Sequence, residues 1–74
     1  MVTKRVLMNF SQELIKEPII YNLGQQFGVK TNIRRADVTE DRGSVELVLE
    51  GEAKQIDEGI SWMIGRGVRV EALE

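Results

Sequence analysis

The chain has 74 residues, of which ten are basic and twelve acidic, and its formal net charge at pH 7 is −2. It contains no cysteine and no histidine, so disulfides and the usual ligands of zinc, haem and iron–sulfur clusters are missing, and we expect no cofactor and no metal. The balanced charge gives no bias toward nucleic acid or an anionic membrane.

The length predicts a single domain, residues 1–74, with a small core. No apolar run approaches the roughly 18 residues of a membrane span, and no signal-like segment opens the chain. We therefore expect a soluble, cytoplasmic protein that does not insert into a membrane. Because a core of this size supplies little net stability, we also expect self-association.

Alternation of apolar and polar residues predicts a first strand over residues 3–10, with an inner face formed by Val6, Met8 and Phe10. Residues 11–16 are interpreted as a connection. Pro18 suits the first turn of a helix, where its missing N–H needs no partner. The helix carries one apolar stripe, formed by Ile19, Ile20, Leu23 and Phe27. Gly28 then supplies a left-handed exit.

A second strand is predicted from Lys30 to about Thr39, with Ala36 and Val38 on its inner face. The polar turn at residues 40–43 ends in glycine and predicts a β-hairpin with a left-handed residue near Gly43. The third strand, residues 44–51, has the clearest alternation in the chain, and its inward residues are Val45, Leu47 and Leu49.

A second amphipathic helix follows, with apolar residues at steps of three and four: Ala53, Ile56, Ile60, Met63 and Ile64. Gly59 lies beside this stripe, where a small residue would let the helix approach the sheet. Gly65 and Gly67 end the helix, and residues 68–73 alternate as a fourth strand. The order βαββαβ predicts a ferredoxin-like α+β fold, with two helices on one face of a four-stranded antiparallel sheet.

The opposite face of this sheet is expected to be bare and to carry Leu7, Val48 and Ile33 among polar residues. The second strand is expected at an edge of the sheet, with unpaired backbone groups. An open edge and a partly apolar face are sites for pairing with another copy of the chain.

No catalytic constellation is visible, because the acidic residues fall at turns, helix ends and outward strand positions. The glycines fit no phosphate-loop spacing. Ferredoxin-like sheets can bind RNA by stacking bases on exposed aromatics, but the pattern does not place Phe10, Tyr21, Phe27 or Trp62 on the bare face. We therefore predict neither an enzyme nor a nucleic-acid-binding protein.

Asn32 and the basic pair Arg34 and Arg35 are the candidate binding residues. The Asn32 amide offers both a donor and an acceptor, although a turn-forming role also explains an asparagine here. The two arginines suit bidentate binding of a ligand carboxylate, or they stay solvated and oppose pairing at the strand edge. The residues alone leave these alternatives open.

Four stretches resemble the NIL domain family: RVLMNF in the first strand, PIIYNLGQQFGVKTNI across the first helix and second strand, GSVELVLEG in the hairpin and GVRVEAL at the end. This family is best known as the C-terminal regulatory domain of bacterial methionine-importing ABC transporter ATPases. Its name comes from an Asn-Ile-Leu run. Asn32 and Ile33 keep the first two residues of that run, and Arg34 replaces the leucine.

The resemblance implies a homodimer that binds methionine or a related amino acid near its interface, with Asn32, Ile33 and Arg34 as the ligand-binding residues. The implied function is that of a non-enzymatic sensor or regulatory module. The alternative is an interaction module that docks a separate protein partner through the free sheet edge or face, without a small ligand. No ATPase is attached, so a sensed ligand would act through a separate partner unless the chain is an excised domain.

Overall fold

The computed structural model describes residues 1–73, without the side chain of Ile15. Its strands are β1 (Val2–Ser11), β2 (Lys30–Val38), β3 (Arg42–Gly51) and β4 (Arg69–Ala72), and its helices are α1 (Gln12–Ile15), α2 (Ile19–Phe27) and α3 (Ala53–Gly65). The strands form an antiparallel sheet in the order β2, β3, β1, β4. The predicted ferredoxin-like α+β fold is confirmed.

The core lies between the two longer helices and the inner face of the sheet. In the pairing of β1 with β3, Val6 is opposite Leu47 and Met8 is opposite Val45, and directly opposed residues point to the same face. These residues and Leu49 are all buried, as the alternation predicted. Burial of each such side chain contributes roughly 1.5–3 kcal/mol.

The first long helix begins one residue later than predicted, because Pro18 occupies its N-cap position. The Pro18 carbonyl accepts a hydrogen bond from the Asn22 N–H at 2.9 Å. At the other end Gly28 adopts a left-handed conformation with a φ of 66°, and its N–H donates to the Gly24 carbonyl at 3.0 Å. The predicted left-handed exit is therefore confirmed.

The segment interpreted as a plain connection contains the four-residue helix α1. Its Leu14 is buried in the core, so this short turn of helix closes the end of the apolar layer. The sequence pattern missed it because four residues are too few to show a helical period.

Gly59 is buried, but its close neighbour is not the sheet, as the sequence suggested. A Cβ at this position would lie 2.6 Å from the Leu23 Cδ1 atom and 3.7 Å from the ring of Phe27, both on α2. The small residue therefore lets α3 lie close to α2.

The prediction of a left-handed residue near Gly43 is wrong. Gly43 lies inside β3, opposite Phe10 and Val38, and Gly28 and Gly67 are the residues with positive φ in the described part of the chain. The hairpin turn is closed by Thr39 instead. Its N–H donates to the Arg42 carbonyl at 2.8 Å, and its hydroxyl oxygen accepts from the backbone N–H groups of Asp41 and Arg42 at 3.3 Å each.

The two faces of β2 follow from its register with β3. Ala36 and Val38 are opposite Val45 and Gly43, so they lie on the inner face as predicted, yet both are exposed because the helices do not cover this edge. Ile33 is opposite the buried Leu47, which corrects its expected place on the bare face.

Leu7 and Val48 do lie on the bare face, and both are half-buried. They are next to polar neighbours in the β1–β3 register, where Leu7 is opposite Glu46 and Val48 is opposite Arg5. Over residues 1–73, none of the helices is both long enough and apolar enough to cross a bilayer.

Candidate functional site

The candidate ligand-binding residues lie on β2, which is an edge strand of the sheet. Asn32 is opposite Val48 and points to the bare face, whereas Ile33 is opposite Leu47 and points to the helix face. Arg34 is the extra residue of a β-bulge between Ile33 and Arg35. The structure therefore brings the three together at the open strand edge but does not place them on one face.

All three side chains are exposed, and the exposed fraction of Ile33 is 54%. Within residues 1–73, the Asn32 amide makes no hydrogen bond and the Arg34 guanidinium makes no ion pair. One side of the β2 backbone pairs with β3, and the other faces no strand of the described chain. Donors and acceptors at this edge are thus available to an external group.

The edge is positively charged. Lys30, Arg34 and Arg35 are exposed there with a single acid, Asp37. Glu46 is directly opposite Arg35 in the register, but its carboxylate accepts a hydrogen bond from Arg5 Nε at 2.7 Å instead. Among residues 1–73, Arg35 forms no ion pair, so its guanidinium can bind an external anion, and bidentate binding of a carboxylate is the interaction that this group forms best.

A cleft of about 220 Å³ at the hairpin end of the molecule was not predicted from the sequence. Its walls are mostly apolar, with Glu17 as the single charged residue. They come from the α1–α2 region and from the ends of β1, β2 and β3: Phe10, Leu14, Glu17, Pro18, Ile19, Ile20, Tyr21, Val38, Gly43 and Val45. The exposed Val38 and Tyr21 form its rim. The sequence signal that could have indicated it is Leu14, an apolar residue within the segment interpreted as a connection.

Two further concave regions lie away from Asn32. One, of about 410 Å³, is polar and is lined among others by Asn9, Asp37, Arg42 and Arg69. The other, of about 310 Å³, lies over the bare face between Leu7, Glu46 and Leu73. Neither region includes Asn32, Ile33 or Arg34, but the second is lined in part by Arg35 of the candidate basic pair.

The aromatic residues do not form a stacking platform on the bare face. Phe10 is buried on the inner face, and Phe27 and Trp62 pack against each other between α2 and α3 with ring centroids 5.8 Å apart. Tyr21 is exposed on α2. In the part of the chain that the structure describes, no three acidic side chains converge as a metal site would require.

The NIL domain model matches residues 4–72 of the chain. A similar solved structure is the C-terminal domain of an ABC transporter ATP-binding protein from Enterococcus faecalis, with 27% identity, a TM-score of 0.83, and coverage of 95% of this chain and 82% of that one. The de novo designed protein Ferredog-Diesel shares the fold, with 20% identity, a TM-score of 0.59 and coverage of 95% and 84%. Among curated proteins, none matches the chain.

Proposed function

The chain belongs to the NIL domain family, and we propose that it is a non-enzymatic regulatory module of the cytoplasm that binds methionine or a related amino acid as a homodimer. Asn32, Ile33 and Arg34 bind the ligand at the interface between the two copies. The similarity to the C-terminal domain of an ABC transporter ATP-binding protein supports a role in regulating such an ATPase.

The observation that carries this proposal is that all three residues lie on an open strand edge without partners inside the described chain. The unpaired backbone N–H and C=O groups of an exposed edge can pair with a further strand. A two-fold symmetric pairing of two β2 strands would extend the sheet across both copies. It would also cover part of the exposed apolar surface beside the edge, where Ile33 and Val38 are 54% and 57% exposed.

The chemistry of the edge suits an α-amino acid. The Arg34 guanidinium suits the ligand carboxylate, and the Asn32 amide can accept from the ligand ammonium or donate to its carboxylate. Ile33 offers apolar contact to an aliphatic or thioether side chain. A ligand held between two copies would favour the paired state over separate chains, because a ligand shifts an equilibrium only through its different affinity for the two states.

The first test is a thermal-shift measurement of the purified domain with each amino acid, methionine included, together with its solution mass. A ligand at ten times its Kd stabilises the folded state by about 1.4 kcal/mol, which raises Tm by roughly 5–10 °C in a domain of this size. We expect this saturable shift in the native chain and its loss in Asn32→Ala.

The matched control is Gln25→Ala, which removes an exposed amide from α2 and should leave the ligand response unchanged. Circular dichroism of both variants verifies the fold. A full response in Asn32→Ala would remove Asn32 from the site, and no response of the native chain to any amino acid would reject the small-ligand function.

A second candidate function is docking of a protein partner along the free edge. The specific observation in its favour is the apolar cleft of about 220 Å³ beside the exposed Val38 at the end of β2. An added strand with a side chain in an adjoining pocket is a known mode of peptide recognition. A folded domain that responds to no amino acid would favour this function over the first.

A further inference from the structure

The side-chain faces of β2 restrict how two copies can pair through this edge. Register with β3 places Lys30, Asn32, Arg35 and Asp37 on the bare face of the sheet, opposite Glu50, Val48, Glu46 and Ser44. It places Thr31, Ile33, Ala36 and Val38 on the helix face. The bulge at Arg34 is the reason that Asn32 and Arg35, three residues apart, share a face.

In an antiparallel pair, opposed residues must point to the same face, and a shift by one residue violates this along the whole strand. One compatible register sets Lys30 opposite Asp37 and Asn32 opposite Arg35, and on the helix face Thr31 opposite Ala36. A second register, two residues away, also keeps the faces. It sets Arg34 opposite Arg35, so that like charges meet on both sides of the symmetry axis.

Charge complementarity separates these two registers. The first places two Lys30–Asp37 pairs across the interface, one on each side of the axis, and directly opposed opposite charges stabilise a strand pair whereas like charges destabilise it. Asp37 is the only acid on β2, and within the described residues neither it nor Lys30 has an ion-pair partner of its own. A second copy supplies each with one.

Resting on the proposed homodimer, we propose that two copies pair in the register that sets Lys30 opposite Asp37, and that Arg35 of the second copy completes the ligand site at Asn32. Opposed residues in a strand pair have Cβ atoms roughly 4.5–5.5 Å apart, so one carboxylate can bind both side chains. Arg35 then binds the ligand carboxylate in trans, in addition to Arg34 of the chain that supplies Asn32, so a single chain holds an incomplete site.

The register is tested by exchanging charges between two chains. Lys30→Glu and Asp37→Lys each replace two attractive contacts by two repulsive ones, and each is expected to weaken the dimer about tenfold at low ionic strength. Mixed in equal amounts, the two variants restore the opposite-charge pair on both sides, so a heterodimer of native affinity is expected. Analytical ultracentrifugation measures all four samples.

Both positions are exposed, and circular dichroism verifies that each variant folds. Lys54→Glu and Asp57→Lys are the matched controls, because they make the same charge changes on exposed positions of α3 and should neither weaken the dimer nor complement each other. A native dimer whose two edge variants stay dimeric alone, or fail to associate when mixed, overturns the register. A native chain that never dimerises instead rejects the proposed homodimer itself.

The trans contribution of Arg35 is tested by a second mixture. Asn32→Ala and Arg35→Gln are each expected to lose the thermal response to ligand while remaining dimeric. In an equal mixture, half of the dimers are mixed and each holds one intact Asn32–Arg35 site, so about a quarter of the native sites should return. If both variants lose the thermal response and their mixture does not recover it, Arg35 acts in the same chain as Asn32. That result overturns the inference and leaves the ligand function in place.

Discussion

Gly59 lies where α3 meets α2, and its missing side chain decides how close the two helices come. An added methyl group would lie 2.6 Å from the Leu23 Cδ1 atom, and Leu23 is fully buried, so it has little room to move. A helical alanine gains up to about 1 kcal/mol over glycine, but overpacking a well-packed core costs roughly 1–3 kcal/mol. We expect the cost of overpacking to exceed the gain in helix propensity.

We therefore expect Gly59→Ala to lower the free energy of unfolding by about 1 kcal/mol, measured by urea denaturation. Gly65→Ala is the control, because a Cβ at that position meets nothing within 4 Å and the helix gain is unopposed. Equal stabilisation by both substitutions would show that α3 can move away from α2 at no cost.

The same residue shows what periodicity can predict. The apolar stripe of the second helix correctly indicated that a small residue at position 59 marks a close approach. The expected neighbour, the sheet, was wrong, and the observed neighbour is α2. A helical period identifies the buried face of a helix but does not identify the element that covers it. That choice depends on the interhelical packing, which only the folded chain contains.

The turn between β2 and β3 is stabilised by hydrogen bonds of Thr39. Its hydroxyl donates to the Arg42 carbonyl at 3.1 Å and accepts from two backbone N–H groups, so the turn needs no left-handed residue. Glycine at the end of a polar turn is a common sign of such a residue. The sequence-based prediction at Gly43 was wrong because hydroxyl bonding within the turn replaced that backbone conformation.

Replacement of this hydroxyl tests its contribution. Thr39→Val keeps the shape of the side chain and leaves two backbone donors without their protein partner, so we expect a loss of roughly 0.5–1.5 kcal/mol and a Tm lower by a few degrees. Thr3→Val is the control, since Thr3 is exposed on β1. The amides of Asp41 and Arg42 should also exchange faster, and unchanged exchange in Thr39→Val would contradict this account of the turn.

The edge strand explains why the candidate site was only partly predictable. The resemblance selected Asn32, Ile33 and Arg34 by motif, and the structure shows that these neighbours lie on two faces and a bulge. A bulge inserts one residue into the alternation, so the pattern around Arg34 and Arg35 could not assign their faces. The β-α-β-β-α-β order, by contrast, was predictable because each long element has a strong period of its own.

At the scale of the whole molecule, the layer architecture and the size of the core set the stability. Leu47 is fully buried. It lies on β3 between β1 and β2, opposite Val6 and Ile33. A domain of 74 residues has a total stability of roughly 4–11 kcal/mol, and truncation of a buried leucine costs about 2–5 kcal/mol. Leu47→Ala should therefore remove a large part of the stability.

Val48, the next residue along β3, is half-buried on the opposite face, so Val48→Ala should cost less than about 1.5 kcal/mol. Urea denaturation of both variants at low protein concentration measures the difference, with the slope m verifying that the denatured states are comparable. If the bare face is solvated, Leu47→Ala should lower the free energy of unfolding much more than Val48→Ala. If Val48→Ala costs as much, and the cost grows with protein concentration, the bare face rather than the β2 edge is buried between copies.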